Sequence, residues 1–446
     1  MEETKKLAEF LCKTSYEDIP VNVREHAKLC ILDCLGVTLA ATKEKMAEIL
    51  VDYVKEMGGN KEATVLGNNF KTSVLLASLV NGALSHALDF DDVHVSSGTH
   101  PSVNIFPPTL AVAESKNLRG KNLLTAFILG FEALTRVGMA AGMTHYDRGW
   151  HSTATIGHFG AAAGVGKLLN LTATQMVNAL GMAGTQAAGI RQMFGTMCKP
   201  FHPGKAGMNG TMAAYLAAKG FTSAPSIIEG KGGFLEIYSD NPQPEKVLAG
   251  LGEDYQVLAI GFKIHASCRA THAVIDGMKM IRAEIGKVNV DDIEEIQLEV
   301  PKITFQAAAK PEPRTGLEGK FSVYYCAALA LLEGMAVEDK FTDKKVNEPQ
   351  LVFLRKKVKA NLNENLGVFE AKIMVKMKNG KSYSSHVLAP KGEPENPVNF
   401  TEIEEKFKGL VGLVMPEDRA MKLVEKIKHL EEVVDIKEII DLCQYN

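Results

Sequence analysis

Asp89-Phe-Asp-Asp-Val-His-Val-Ser-Ser-Gly-Thr-His-Pro-Ser102 packs three carboxylates, two imidazoles and several hydroxyls into fourteen residues, with neither helical nor strand periodicity. The apolar run before it, residues 74–88, reads as a buried helix. Pro101 suits the first turn of a second helix running on toward Ala113, because its missing N–H would be unpaired there anyway. The charged stretch is therefore expected to be an irregular junction held between two rigid elements, where binding and catalytic groups concentrate.

Working outward, the chain ahead of this junction reads as helices over 4–11, 22–40 and 44–57, with one short strand over 61–67. Behind it the 3.6-residue period continues over 101–113 and 122–141. Thr172 and Gln175 form a capping box before a helix over 176–187. A further helix is expected over 206–219. Gly157, Gly160, Gly164 and Gly166 put small residues where helices can approach closely. The character changes near residue 260. Ile296, Leu298 and Val300 alternate with polar residues, as do Ala371, Ile373, Val375 and Met377, and Asn379-Gly380 marks a hairpin. Helical segments over 271–285, 321–333 and 349–359 lie among these strands. Thr401 and Glu404 are expected to open a last helical series. Its amphipathic faces need a surface, so the expected fold is mainly α with a second α+β domain. The large all-helical domain would comprise 1–261 and 393–446, and the α+β domain 262–392.

Composition narrows the function. The 446 residues carry a formal net charge of −3, which offers no basic footprint for nucleic acid and no polybasic patch for an anionic membrane. A small molecule is the expected partner. Seven cysteines without a CxxC pair suit reduced thiols in the cytoplasm better than a disulfide framework. The charged N-terminal Met-Glu-Glu-Thr-Lys-Lys lacks the apolar core of a secretory signal, and a cytoplasmic location is the expectation. The lightly charged stretch 149–190 is broken by Gly, Asn, Gln and Thr, and reads as buried helices, not as a bilayer span.

Nine of the twelve histidines fall between residues 86 and 272. Asp89, Asp91, Asp92, His94 and His100 are possible metal ligands, but no HExxH, CxxC pair or EF-hand spacing supports a metal, and none is expected. No GxSxG, Walker A or GxGxxG motif is present either. Acid–base chemistry on a carboxylate remains, which needs a base, cations to hold the acid groups and a proton donor. Lys199-Pro-Phe-His-Pro-Gly-Lys205 supplies two lysines and a histidine, read as a loop ahead of the helix at 206. Lys263-Ile-His-Ala-Ser-Cys-Arg-Ala-Thr-His272 supplies Lys263, His265, Arg269 and His272, with Arg269 able to grip a carboxylate in a bidentate fork. Asp147-Arg-Gly-Trp-His-Ser-Thr153 sets His151 beside the single Trp of the chain.

Seven ordered blocks together resemble the MmgE/PrpD family, which contains 2-methylcitrate dehydratase, cis-aconitate decarboxylase and iminodisuccinate epimerase. They are Asn81 to Asp92, Thr99-His-Pro-Ser102, Arg148-Gly-Trp-His151, Lys199 to Lys205, Ile228 to Phe234, Lys263 to His272 and Lys320-Phe-Ser-Val-Tyr-Tyr325. The resemblance implies a large helical domain built from both chain ends, a smaller α+β domain, an active site in the cleft between them, a homodimer and no metal or organic cofactor. Carried over by motif, it implies Asp89, His100, His151, Lys199 and Tyr325 as catalytic residues. Lys263, His265, Arg269 and Lys205 would bind a small carboxylate substrate. The expected activity is cofactor-independent dehydration or decarboxylation of a di- or tricarboxylate, with epimerisation of a substituted succinate as the alternative. Asp91, Asp92 and His94 are expected only to cap or brace the loop. Val93 departs from the decarboxylase pattern, which has Thr there, and the segment to His100 is one residue longer.

Overall fold

The computed structural model describes residues 2–412 and 414–444. They pack as two compact units, one of Met1–Ile260 with Asn399–Asn446 and the other of Gly261–Val398.

The first unit is helical. Its helices include Val21–Ala40, Val74–Ala87, Pro101–Ser115, Gly120–Asp147, Ser152–Leu168 and Cys198–Ala218. Most of these are buried around much of their circumference, which is why their apolar residues run on without a strict stripe. Gly120–Asp147 is long and apolar enough to cross a bilayer, but 94% of its most apolar window is buried inside the protein. It is a core helix, and its buried Glu132–Arg136 pair is satisfied internally: Arg136 donates to the carbonyls of Ala249 and Asp254, and Glu132 accepts from the amide of Gln256.

Two glycine contacts set the spacing that matters for the site. A Cβ on Gly204 would lie 2.2 Å from the carbonyl oxygen of Leu79, and one on Gly82 would lie 2.8 Å from the Cα of Gly204. The Val74–Ala87 and Cys198–Ala218 helices thus touch backbone to backbone, which no larger residue permits. Gly204 belongs to the expected 199–205 loop, and here the structure corrects the sequence reading: the helix begins at Cys198 and includes Pro200 and Pro203. Pro200 sits in the first turn, where the missing N–H costs nothing.

The chain end returns to this unit through the Phe400–Val411 helix, opened by a capping box of Asn399 and Glu402 two residues ahead of the expected one. Lys406 on it pairs with the buried Asp33 at 2.5 Å and donates to the carbonyl of Phe90. That helix therefore braces the start of the 89–102 segment through Lys406. The short strand expected over 61–67 is Ala63–Thr64, and it pairs antiparallel with Lys71–Thr72.

The second unit is α+β. Its four-stranded sheet runs in the order Val358–Leu362, Ile293–Val300, Ala371–Met377, Ser382–Val387, with the first pair parallel and the others antiparallel. Ile296, Leu298, Ile373 and Val375 are buried on one face, against which the His272–Ile285 helix packs so closely that a Cβ on Gly277 would meet Ile373 at 2.4 Å. The hairpin turns at Asn379-Gly380, with Gly380 at φ 86°. The helix expected over 349–359 ends at Arg355, and the following Val358–Leu362 is an edge strand. Its short apolar alternation is hidden by the lysines around it.

Candidate active site

In the helical unit the end of one helix and the starts of three others meet. Val74–Ala87 ends just before Asp89, whose φ of 51° is a left-handed conformation more usual for glycine at a helix C-terminus. Asp tolerates it better than most residues, and held conformations of this kind cluster at functional sites. His100 is the N-cap of Pro101–Ser115, His151 is the N-cap of Ser152–Leu168, and Lys199 lies in the first turn of Cys198–Ala218. Helix N-termini carry partial positive charge and unpaired N–H groups, so their convergence favours an anion.

The side chains are tightly arranged. Lys199 donates to Asp89 in a nearly buried ion pair. Asp91, fully buried, faces two imidazoles at once: His86 Nδ1 is hydrogen-bonded to its Oδ2 at 2.9 Å, and His100 Nδ1 lies 2.8 Å from the same oxygen. The His86 ring meets that of His100 edge-on at 4.6 Å and stacks with that of His151 at 5.8 Å. His151 and His202 share a hydrogen bond of 2.9 Å between their Nδ1 atoms. Phe194 caps His151 edge-on at 5.0 Å and lies 5.2 Å from the Lys199 ammonium. His100 is the partly exposed member of the group, with 15% of its side chain accessible.

These surroundings set the charges. Burial pushes the His86 imidazole down to about 4, against the opposing pull of Asp91. Burial, with His86 and Lys199 adding to it, holds His151 well below the ordinary imidazole range. His202 is lowered by burial and by Lys199. For Asp91 burial acts upward, but the two imidazoles keep the carboxyl well below its usual value. At neutral pH the group thus holds two carboxylates, one ammonium and several neutral imidazoles able to accept protons. Among the described residues, His86, Asp89 and His100 alone bring three ligand atoms within 4.8 Å of one another. The Lys199 ammonium already supplies the cation at Asp89.

Asp89, His100, His151 and Lys199, expected from the sequence, come together here. Asp91 does too, contrary to its reading as a brace. Asp92 and His94 do brace: Ser102 donates to Asp92, and His94 Nδ1 bonds Ser97 Oγ at 2.9 Å. The loop closes on itself through paired amides and carbonyls of His94 and Thr99, so a length change there need not move Asp91 or His100. Val93 is half-buried in it. Lys205 is exposed, and six residues beyond Lys199 it faces a different side of the helix, about 240° around.

The α+β unit treats its expected residues differently. His265 Nε2 lies 2.8 Å from Asp276 Oδ1. Arg269 is buried, donating through Nε to Glu393 and through Nη1 to the carbonyl of Phe262, with Nη2 in ion-pair reach of the same carboxylate. The Tyr325 hydroxyl donates to the carbonyl of Lys340 at 2.6 Å, and burial pushes its pKa far up. Each of these groups, expected to contact substrate or move a proton, thus has a partner within the protein. Lys263 is buried at 1% exposure.

His86 was not singled out by the sequence, and His202 only as the histidine of the 199–205 segment, without a partner. His202 lies three residues after Lys199 on one helix face, a relation hidden while the segment reads as a loop. His86 is the single histidine of the apolar Val74–Ala87 helix, where a packed core residue is the default.

The family model described as the MmgE/PrpD N-terminal domain matches residues 5–247, and that of the MmgE/PrpD C-terminal domain matches 265–432. The cis-aconitate decarboxylase of Aspergillus terreus is 26% identical, covering 98% of this chain and 95% of its own. The cis-aconitate decarboxylase of Homo sapiens is 29% identical over 95% and 90%. A probable 2-methylcitrate dehydratase of Saccharomyces cerevisiae is 24% identical over 74% and 68%.

Proposed function

The chain belongs to the MmgE/PrpD family, and on that premise we propose that it is a lyase removing carbon dioxide or water from a small di- or tricarboxylate. The observation that carries this reading is the Asp89–Lys199 pair set among neutral imidazoles where three helices begin. A substrate carboxylate takes the ammonium of Lys199 in place of Asp89 and is further favoured by the helix N-termini.

The partly exposed His100 then acts as base, with His151, hydrogen-bonded to His202, as the second proton-handling group. In dehydration an imidazole takes the proton from the carbon beside the carboxylate, the electron pair spreads onto that carboxylate, and hydroxide leaves with a second proton as water. In decarboxylation the carbon–carbon bond breaks, carbon dioxide departs, and the electron pair left on carbon takes a proton that an imidazole has picked up from solvent. Lys199 offsets the developing negative charge in both. Support for decarboxylation comes from relatives of that activity matched over nearly their full length.

The test is incubation with cis-aconitate, citrate, 2-methylcitrate and an α-substituted succinate in D₂O, followed by proton NMR. Loss of carbon dioxide or water supports the lyase and says which kind. Deuterium uptake without either product indicates an epimerase instead, and no change in any substrate overturns the proposal.

A further inference from the structure

Two imidazoles on one buried carboxylate make an unusual arrangement, and it has a chemical consequence. Asp91 is a carboxylate, and a carboxylate only accepts hydrogen bonds. The Nδ1 atom of His86, hydrogen-bonded to both oxygens of Asp91 at 3.0 and 2.9 Å, must therefore carry a proton, while Nδ1 of His100 lies 2.8 Å from Oδ2 without hydrogen-bond geometry. In the neutral ring the lone pair is then on Nε2. For His86 that atom is buried and has no hydrogen-bond partner among the described residues. A buried acceptor left open is costly unless something outside the chain fills it.

We propose that Asp91 is the positioning carboxylate of the site: its hydrogen bonds fix His86 with Nδ1–H toward itself, and its charge turns the Nδ1 edge of His100 to the same oxygen, leaving both Nε2 atoms available for substrate. His100 is presented as the base and His86 as an acceptor for a substrate hydroxyl or protonated carboxyl group. The inference rests on the lyase reading for what the substrate is, but not for which nitrogen is protonated. Asp89, Lys199, His151 and His202 are the other charged or titratable groups around the two rings.

The experiment uses full-length protein with ¹⁵N-labelled histidine, resonances being assigned by His86→Gln and His100→Gln. At pH 7 the wild type is expected to show protonated Nδ1 and acceptor-type Nε2 for both residues. Asp91→Asn, whose amide can donate to a ring nitrogen, is expected to switch the tautomer of at least one of them. It should lower kcat by about 10²-fold or more with KM changed less than threefold, and Asp91→Glu should recover part of that loss. Protonated Nε2 with bare Nδ1 on either histidine in the wild type overturns the proposal, even if the variant does not fold. So does a folded Asp91→Asn protein with both tautomers unchanged. The tautomer measurement needs no substrate, so an inactive substrate panel counts against the lyase reading and not against this one.

Discussion

In the helical unit a single carboxylate, Asp91, is shared by two imidazoles, and His86 keeps a ring nitrogen uncommitted. In the α+β unit every expected donor of the 265–269 segment has a carboxylate of its own: Asp276 for His265 and Glu393 for Arg269. Arg269 also bonds the carbonyl of Phe262, while Phe262 donates its amide to Gly392, so this cluster ties the 262–269 segment to the 391–397 connector. One anion per cation saturates the cation and makes a clasp. One anion between two imidazoles orients them and leaves acceptor capacity over. Density of charged residues does not separate the two cases, but the ratio of partners does.

The comparison is broken most directly at His100. His100→Gln is expected to fold and to lose about 10²–10⁴-fold in turnover, measured on whichever substrate the NMR panel identifies. Retention within threefold would remove the helical cluster from the chemistry. The contrasting change is Arg269→Met, which leaves Glu393 buried without its cation. It should destabilise the protein by about 3–5 kcal/mol, read by chemical denaturation and by faster hydrogen exchange across 261–398. Adding Glu393→Gln should return much of that stability, as expected of a clasp and not of a substrate fork.

Acid sharpens the difference. His86, His94, His145 and His158, all in the helical unit, are each held at about 4, burial being the main cause. Their unfolded value is higher, about 6.5, so between these limits the unfolded chain binds more protons. Stability is full above about pH 6.5 and falls as pH drops toward 4. Trp150, the single Trp, lies in this unit beside His145. Its fluorescence in urea titrations should show an earlier midpoint at pH 5 than at pH 7, and an unchanged midpoint would mean these imidazoles are solvated. The smallest expected effect is that of Gly204→Ala, which forces apart two helices in backbone contact. A loss of about 1–3 kcal/mol should come with weaker substrate binding, because Lys199 and Asp89 ride on those helices.

Much of the fold was legible because its signals are local. The capping box at Thr172 and Gln175 forms as expected, and the Asn379-Gly380 turn joins the expected strands. What failed was also local, and misleading. Two prolines and a glycine made 199–205 read as a loop, yet the prolines are tolerated near a helix start and Gly204 serves helix contact. Four of the expected site residues, Asp89, His100, His151 and Lys199, gather in one place, but nothing in their spacing distinguishes them from His265 and Arg269. His86 escaped for the same reason, since it owes its place to neighbours from other helices, and so did the pairing of His202 with His151.

The sequence by itself determined the family, the helical and α+β character of the chain, and the list of groups from which a carboxylate-handling site can be made. These follow from periodicity, turn chemistry and ordered motifs, which are properties of neighbouring residues. The tertiary structure decided which members of that list are spent and which are available. Hydrogen-bond capacity is finite, and only the folded chain shows that Glu393 consumes Arg269 while Asp91, divided between His86 and His100, consumes neither.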